Sequence, residues 1–283
     1  MSISYASKII TVDGHTLRYH TAGDPSLPPL LMVHGWFSYR GVWRQTIPAL
    51  QDRFYCVAVD LLGFGDSDKP SDADYSIPAQ GQRMLDVADQ LGFARFALIG
   101  HSMGGQIALC IASMLAPERI TQLVSVDGVV AAQLMPAVDR VYAIVAIIRH
   151  IPWLYTVARW MDHFKPYAYW NHRPWFYEMD SVPFDEWEID RNMAMQAGLH
   201  MSAYKAGIAI RALDLTPHLP HITAPTLAIF GAQDGTVPVS DGHLVDQHVP
   251  DSELVLIENC GHFPMYEHTT TYLAALTQFL TKS

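Results

Sequence analysis

Three short stretches of the chain hold side-chain types that together can perform acyl transfer. They are Gly100-His101-Ser102-Met103-Gly104, Gly231-Ala232-Gln233-Asp234-Gly235 and Asn259-Cys260-Gly261-His262-Phe263-Pro264. A serine hydroxyl is a weak nucleophile until a base takes its proton. An imidazole serves as that base when a carboxylate sets its tautomer and stabilises the imidazolium. Ser102, Asp234 and His262 supply the three groups, in the order expected where the nucleophile sits on a strand-to-helix turn. A fourth stretch, His34-Gly35-Trp36, can aim a backbone N–H at a developing oxyanion, together with the N–H of Met103. Each feature also has an ordinary reading. Glycines around a serine permit close packing, an aspartate before glycine makes a turn, and His262 is one of fourteen histidines.

Such groups need elements to carry them. Short apolar runs, LLMV at 30–33, VAV at 57–59, FALI at 96–99, LVSV at 123–126, LAIF at 227–230 and LVLI at 254–257, have the pattern of strands buried on both faces. Helical spacing lies between them, as in Met84, Val87, Ala88 and Leu91, then Ile107, Ala108, Ile111 and Leu115. At the start, Ile9 to Val12 and Leu17 to Tyr19 flank Asp13-Gly14, a hairpin turn. The pattern predicts an α/β fold with a doubly wound, mostly parallel sheet and an N-terminal hairpin. Every candidate residue then follows a strand, at the edge where open α/β sheets bind ligands.

The alternation stops near residue 130 and resumes near 222. The expected domains are therefore a core of 1–130 and 221–283 and an inserted helical cap of 131–220. Within the cap, Val141, Ile144, Val145 and Ile148 have helical spacing, the middle is rich in aromatics and prolines, and Met193 to Ile210 reads as a further helix. The apolar run 141–148 is expected to face the active-site cleft, with lipid contact as the alternative. The aromatics Trp153, Tyr155, Trp160, Trp170, Trp175 and Trp187 are expected to divide between core and pocket wall.

Composition sets limits. The chain has 283 residues, 50% hydrophobic and only 16% charged, which excludes intrinsic disorder. Its net charge of −10, without a basic stripe, argues against nucleic-acid partners. Cys56, Cys110 and Cys260 are odd in number and widely spaced, so no disulfide framework is expected and a reducing cytoplasm fits. The first residues lack a secretory pattern, and no run approaches the ~20 apolar residues that span a bilayer, so stable membrane insertion is not expected.

Through HGW at 34–36, DLLGFGDSDKP at 60–70, GHSMGG at 100–105, GAQDGTVP at 231–238 and NCGHFP at 259–264, the chain resembles an α/β-hydrolase with a helical cap, of serine esterase or lipase type. The resemblance covers nearly the whole length. It implies Ser102 as nucleophile, His262 as base, Asp234 as acid, and the N–H groups of Trp36 and Met103 as oxyanion donors. It implies no cofactor and no metal, and a small-molecule ester as substrate. The expected activity is that of a carboxylesterase on small to medium, largely apolar esters. Relatives narrow it further. Epoxide hydrolases and haloalkane dehalogenases of this fold carry an aspartate nucleophile, and perhydrolases usually place a proline soon after HG, where Phe37 follows Trp36 here. Carbon–carbon bond hydrolases often have asparagine before the nucleophile, where this chain has His101. They remain the alternative, with a lactonase or a hydrolase-fold ligand receptor of slow turnover.

Other residues carry weaker cases. Asp127 ends LVSV and is an alternative triad acid. His218 and His221 have no third metal ligand nearby, Cys260 reads as packing, and Asp66 as part of a loop shaping the site floor.

Overall fold

The computed structural model describes residues 5–161, 163–178, 180, 184–194, 196 and 198–282, with backbone alone for 152, 155, 159, 171, 184–187 and 194. Eight strands form one sheet: β1 (Lys8–Val12), β2 (His15–Ala22), β3 (Pro29–Val33), β4 (Tyr55–Val59), β5 (Phe96–His101), β6 (Ile120–Val126), β7 (Thr226–Gly231) and β8 (Ser252–Ile257). Their order is β1-β2-β4-β3-β5-β6-β7-β8. β1 and β2 form the hairpin, β2 pairs antiparallel with β4, and all other pairings are parallel. Asp13 and Gly14 turn the hairpin at φ 53° and 75°.

The strand runs are apolar throughout because both faces are covered. Leu31, Val33, Val57 and Val59 face one helical layer, which includes α2 (Ile77–Gln90) and α3 (Met103–Cys110). Leu30, Met32, Cys56 and Ala58 face the other, against α1 (Ile47–Leu50) and the later helices α10 (Pro264–Glu267) and α11 (Thr269–Leu280). Between β6 and β7 the described residues form no strand but five α-helices, α4 (Pro136–Ile148), α5 (Pro152–Met161), α6 (Lys165–His172), α7 (Phe184–Ala194) and α8 (Leu199–Ala212), followed by a 3-10 turn at Thr216–His221. The remaining α-helix, α9 (Ser240–His248), joins β7 to β8. The stretch Met193–Ile210 is not one helix as expected. α7 ends at Ala194, and Gly198, left-handed at φ 86°, caps the start of α8 at Leu199.

Register sets what leaves the sheet together. Val33 pairs with Gly100, so His34-Gly35-Trp36 and His101-Ser102-Met103 emerge side by side. Gly231 pairs with Ile257, so the loops carrying Asp234 and His262 emerge as neighbours at the same edge.

His34 locks the first of these loops. Its Nδ1–H donates to the Gly35 carbonyl at 2.8 Å, and Nε2 accepts from the Leu61 N–H at 3.0 Å. Full burial pulls its pKa down to about 4, with a further push from Arg40. The folded state therefore binds fewer protons than the unfolded chain between about pH 4 and 6.5. This contribution is complete above that window and is lost as pH falls through it. His20 and His172, also at about 4 through burial, act in the same direction. Buried carboxyls with raised pKa, such as that of Asp241 at about 6, act in the opposite direction, so the difference between proteins is the test: His34→Gln should lose less melting temperature than the parent from pH 6.5 to 4, and equal slopes in their melting curves would contradict this account.

Candidate active site

Ser102 sits between β5 and α3 at φ 57°, ψ −119°, a backbone that costs an L-residue on the order of 1–3 kcal/mol. Small neighbours make it reachable. A Cβ on Gly100 would meet the Gly104 carbonyl oxygen at 2.1 Å, and one on Gly104 the Val33 carbonyl oxygen at 2.2 Å. Gly35 lies against Ser102 itself, where a Cβ would approach the serine Cβ to 2.8 Å. Backbone bonds hold the turn: Ser102 N–H donates to the Val126 carbonyl, and the Ser102 carbonyl accepts from Gln106 N–H. Met103 is the first residue of α3, and Trp36 directly follows Gly35, so both expected oxyanion donors stand on segments packed at the serine.

His262 is buried, and its Nδ1–H donates to Asp234 Oδ2 at 2.7 Å. The other carboxylate oxygen of Asp234 accepts from the N–H groups of Thr236, at 2.7 Å, and Val237, at 3.2 Å. A carboxylate so bonded fixes the imidazole tautomer and leaves Nε2 able to accept a proton. His262 also lies beside the nucleophile turn: His101 Nε2–H donates to the His262 carbonyl at 2.8 Å, and the two rings are 4.7 Å apart. The structure thus brings Ser102, His101, His262 and Asp234 to one point on the sheet edge.

Asp127 lies beneath that point. It is fully buried, at φ 45°, with Oδ1 accepting from the Gly231 N–H at 2.9 Å. Burial and the neighbouring Asp234 carboxylate drive its pKa well above the usual carboxylate range, favouring the neutral acid. Asp234, not Asp127, bonds His262. Among the described residues, His101, Asp127 and His262 are the one group of three possible metal ligands close together. A carboxyl held neutral and an imidazole already bonded to Asp234 make it a poor metal site. His218 and His221, with ring centres 6.2 Å apart, gain no third ligand among the described residues. Cys260 is buried and its thiol pKa is raised, chiefly by burial, which suits packing. Asp66 bonds Arg40 and Gln196 in the loop after β4.

The sequence did not announce the supports around the site. Arg40, nearly buried, forms an ion pair with Asp60, whose Oδ1 accepts from the Arg40 N–H at 2.7 Å and whose Oδ2 accepts from the Asp66 N–H at 2.8 Å. The Arg40–Asp60 pair ties the segment after Trp36 to the loop after β4. The stretch 174–178 threads against the candidate loops. Trp175 carbonyl accepts from His262 N–H at 2.8 Å, and Glu267 accepts from Tyr177 and Glu178 N–H groups. A charged residue in an apolar context, such as Arg40 after SY, was the available signal.

A cavity adjoins this edge, with Trp36 and Phe263 among its walls. Val141, Ile144, Val145 and Ile148 of α4 line it, while Ser102, Asp234 and His262 are not among its lining residues. Its polar end is a network in which Tyr39 O–H donates to Asp190, which is also paired with Arg44. Of the named aromatics, Trp175 lines the cavity, while Trp153, Trp160 and Trp170 are exposed, contrary to their expected place in core or wall. The side chains of Tyr155 and Trp187 lie outside the described residues.

The family model for the alpha/beta hydrolase fold matches residues 28–164. The chain has the α/β-hydrolase fold. It is 28% identical over 260 residues to a pimeloyl-[acyl-carrier protein] methyl ester esterase of Nitrosomonas europaea, covering 88% of this chain and 93% of that one. A solved hydrolase from Pseudomonas aeruginosa superposes with TM-score 0.77 at 27% identity, over 98% of both chains. An esterase from Exiguobacterium antarcticum superposes with TM-score 0.81 at 23% identity, over 97% and 98%, a likeness of fold. No helix among the hydrolase's described residues is long and apolar enough to cross a membrane.

The two aspartates of the hydrolase should separate cleanly. Asp234→Asn removes the charge that stabilises the imidazolium and should lower turnover of an activated ester by on the order of 10²–10⁴. Asp127→Asn replaces a neutral acid with a neutral amide that still accepts from Gly231, and should cost less than about tenfold. Initial rates of both variants check this, and a larger loss for Asp127→Asn would reverse the assignment.

Proposed function

We propose that this α/β hydrolase is a serine carboxylic-ester hydrolase acting on small to medium, largely apolar esters. The observation that carries the reading is the 2.7 Å bond from His262 to buried Asp234 beside a serine held in a strained strand-to-helix turn. In this reading His262 takes the Ser102 proton as Oγ attacks the ester carbonyl. The tetrahedral oxyanion sits against the N–H groups of Trp36 and Met103. The imidazolium then protonates the leaving alcohol. A water deprotonated by His262 attacks the acyl-enzyme, and the acid departs as Ser102 regains its proton. The helices between β6 and β7 act as a cap. Their aliphatic contribution to the cavity supports an apolar acyl or alcohol group, and the methyl ester esterase among the relatives supports the ester class.

Ser102→Ala should leave a folded protein whose hydrolysis of short-chain chromogenic esters falls by on the order of 10⁴–10⁶. Steady-state rates with matched circular dichroism test it, and retention of more than about a tenth of the activity would sink the nucleophile. A panel of graded chain lengths with a vinylogous diketone beside it decides the reaction class, since turnover of the diketone alone would indicate carbon–carbon cleavage.

The α4 wall generates a separate expectation. Ile148→Phe narrows the cavity and should shift the ratio of kcat/KM for long over short esters downwards by at least about threefold, while labelling of Ser102 by a small fluorophosphonate persists. An unchanged ratio would place the acyl group elsewhere.

A further inference from the structure

α5 and its flanks turn an apolar stripe outwards. Trp153, Val157, Trp160, Met161 and Phe164 recur at helical spacing on one side, and they are 65%, 41%, 61%, 37% and 52% exposed. Trp170 on α6, 72% exposed, and Ile147 on α4, 60% exposed, extend the apolar surface of this segment. Leaving so much tryptophan in water is unfavourable unless something covers it. The inner sides of the same helices are already used, since Val141 and Val145 of α4 and Ala158 of α5 line the cavity.

The charge along this segment of the sequence points to the cover, although Glu188 and Asp180 from outside it bond His163 and Tyr169. Residues 140–177 contain Arg140, Arg149, Arg159, Lys165 and Arg173 but a single acidic residue, Asp162, in a chain of net charge −10. Arg140, Lys165 and Arg173 are exposed. A locally basic segment on an acidic protein, studded with indole rings, is suited to an anionic bilayer surface. There the rings settle among the headgroups and the basic groups meet lipid phosphates. A second copy of the chain fits worse: a two-fold contact through this stripe would set the basic groups against themselves with almost no acidic partner in the segment.

We infer that the outer face of α5, with Trp170, docks the protein peripherally on anionic phospholipid membranes. The inference goes beyond the proposed hydrolysis and does not depend on it. Docking places the cap, and the cavity beneath it, against the lipid phase without any spanning helix.

Cosedimentation of the full chain with vesicles tests it. Binding to 1:1 phosphatidylglycerol–phosphatidylcholine vesicles should exceed binding to pure phosphatidylcholine at least tenfold and weaken in 0.5 M salt, where the Debye length is only about 4 Å. Trp153→Ser/Trp160→Ser and Arg140→Gln/Lys165→Gln should each reduce partitioning at least fivefold, with circular dichroism matched to the parent. Absence of binding to the anionic vesicles, or variants that bind like the parent, would overturn the inference. A dimer in light scattering that Trp153→Ser/Trp160→Ser converts to monomer would overturn it in favour of a second copy. Should the tryptophan pair fail to fold, quenching of parent tryptophan fluorescence by brominated phosphatidylglycerol decides instead: quenching supports docking, and its absence refutes it.

Discussion

The backbone of Ser102 is the constraint on which this structure turns. At φ 57° and ψ −119° it lies where an L-residue gains nothing locally, so the surroundings must impose it. They do so by close approach. α3 begins directly against the end of β3, at a distance that only glycine at 104 permits, and Gly100 and Gly35 clear the remaining space. Eight strands and two helical layers bury the flanks of this turn, and their combined packing offsets a local cost far smaller than the core they form.

Around that turn, buried polar groups are joined in pairs that link separate stretches of chain. His34 bridges the ends of β3 and β4, Arg40 and Asp60 join the segments that follow, and Asp234 joins its own loop to His262. Each such group would be costly to bury alone, so the pairs specify one arrangement of loops rather than merely permitting it. The same logic extends to the helices between β6 and β7, whose stretch 174–178 is held by His262 N–H and Glu267. Trp36 Nε1–H, donating to the Ala203 carbonyl at 2.9 Å, ties α8 to the loop beside Ser102.

Those helices have two sides with different solvents. Inward they present aliphatic side chains to a cavity with a charged, hydrogen-bonded end at Tyr39, Arg44 and Asp190. Outward α5 presents indole and aliphatic surface among basic residues. A helix that is apolar on both sides needs two apolar neighbours, and the fold supplies one.

Much of the architecture was readable from the chain because its signals are local. Apolar runs of strand length mark β3 to β8, Asp13-Gly14 marks the hairpin, and the order of Ser102, Asp234 and His262 places all three candidates on strand-to-loop junctions whatever the finer packing. Other features depend on groups distant in sequence. That Asp234 rather than Asp127 reaches His262 follows from the β7–β8 register and from the depth at which Asp127 is buried, and neither is written in the residues near either aspartate. Gly198 caps α8 in a left-handed backbone, a choice open to any glycine until packing makes it. Exposure of Trp153, Trp160 and Trp170 is likewise a tertiary outcome: sequence states that a side chain is apolar, while only the arrangement of neighbouring helices decides whether anything is left to cover it.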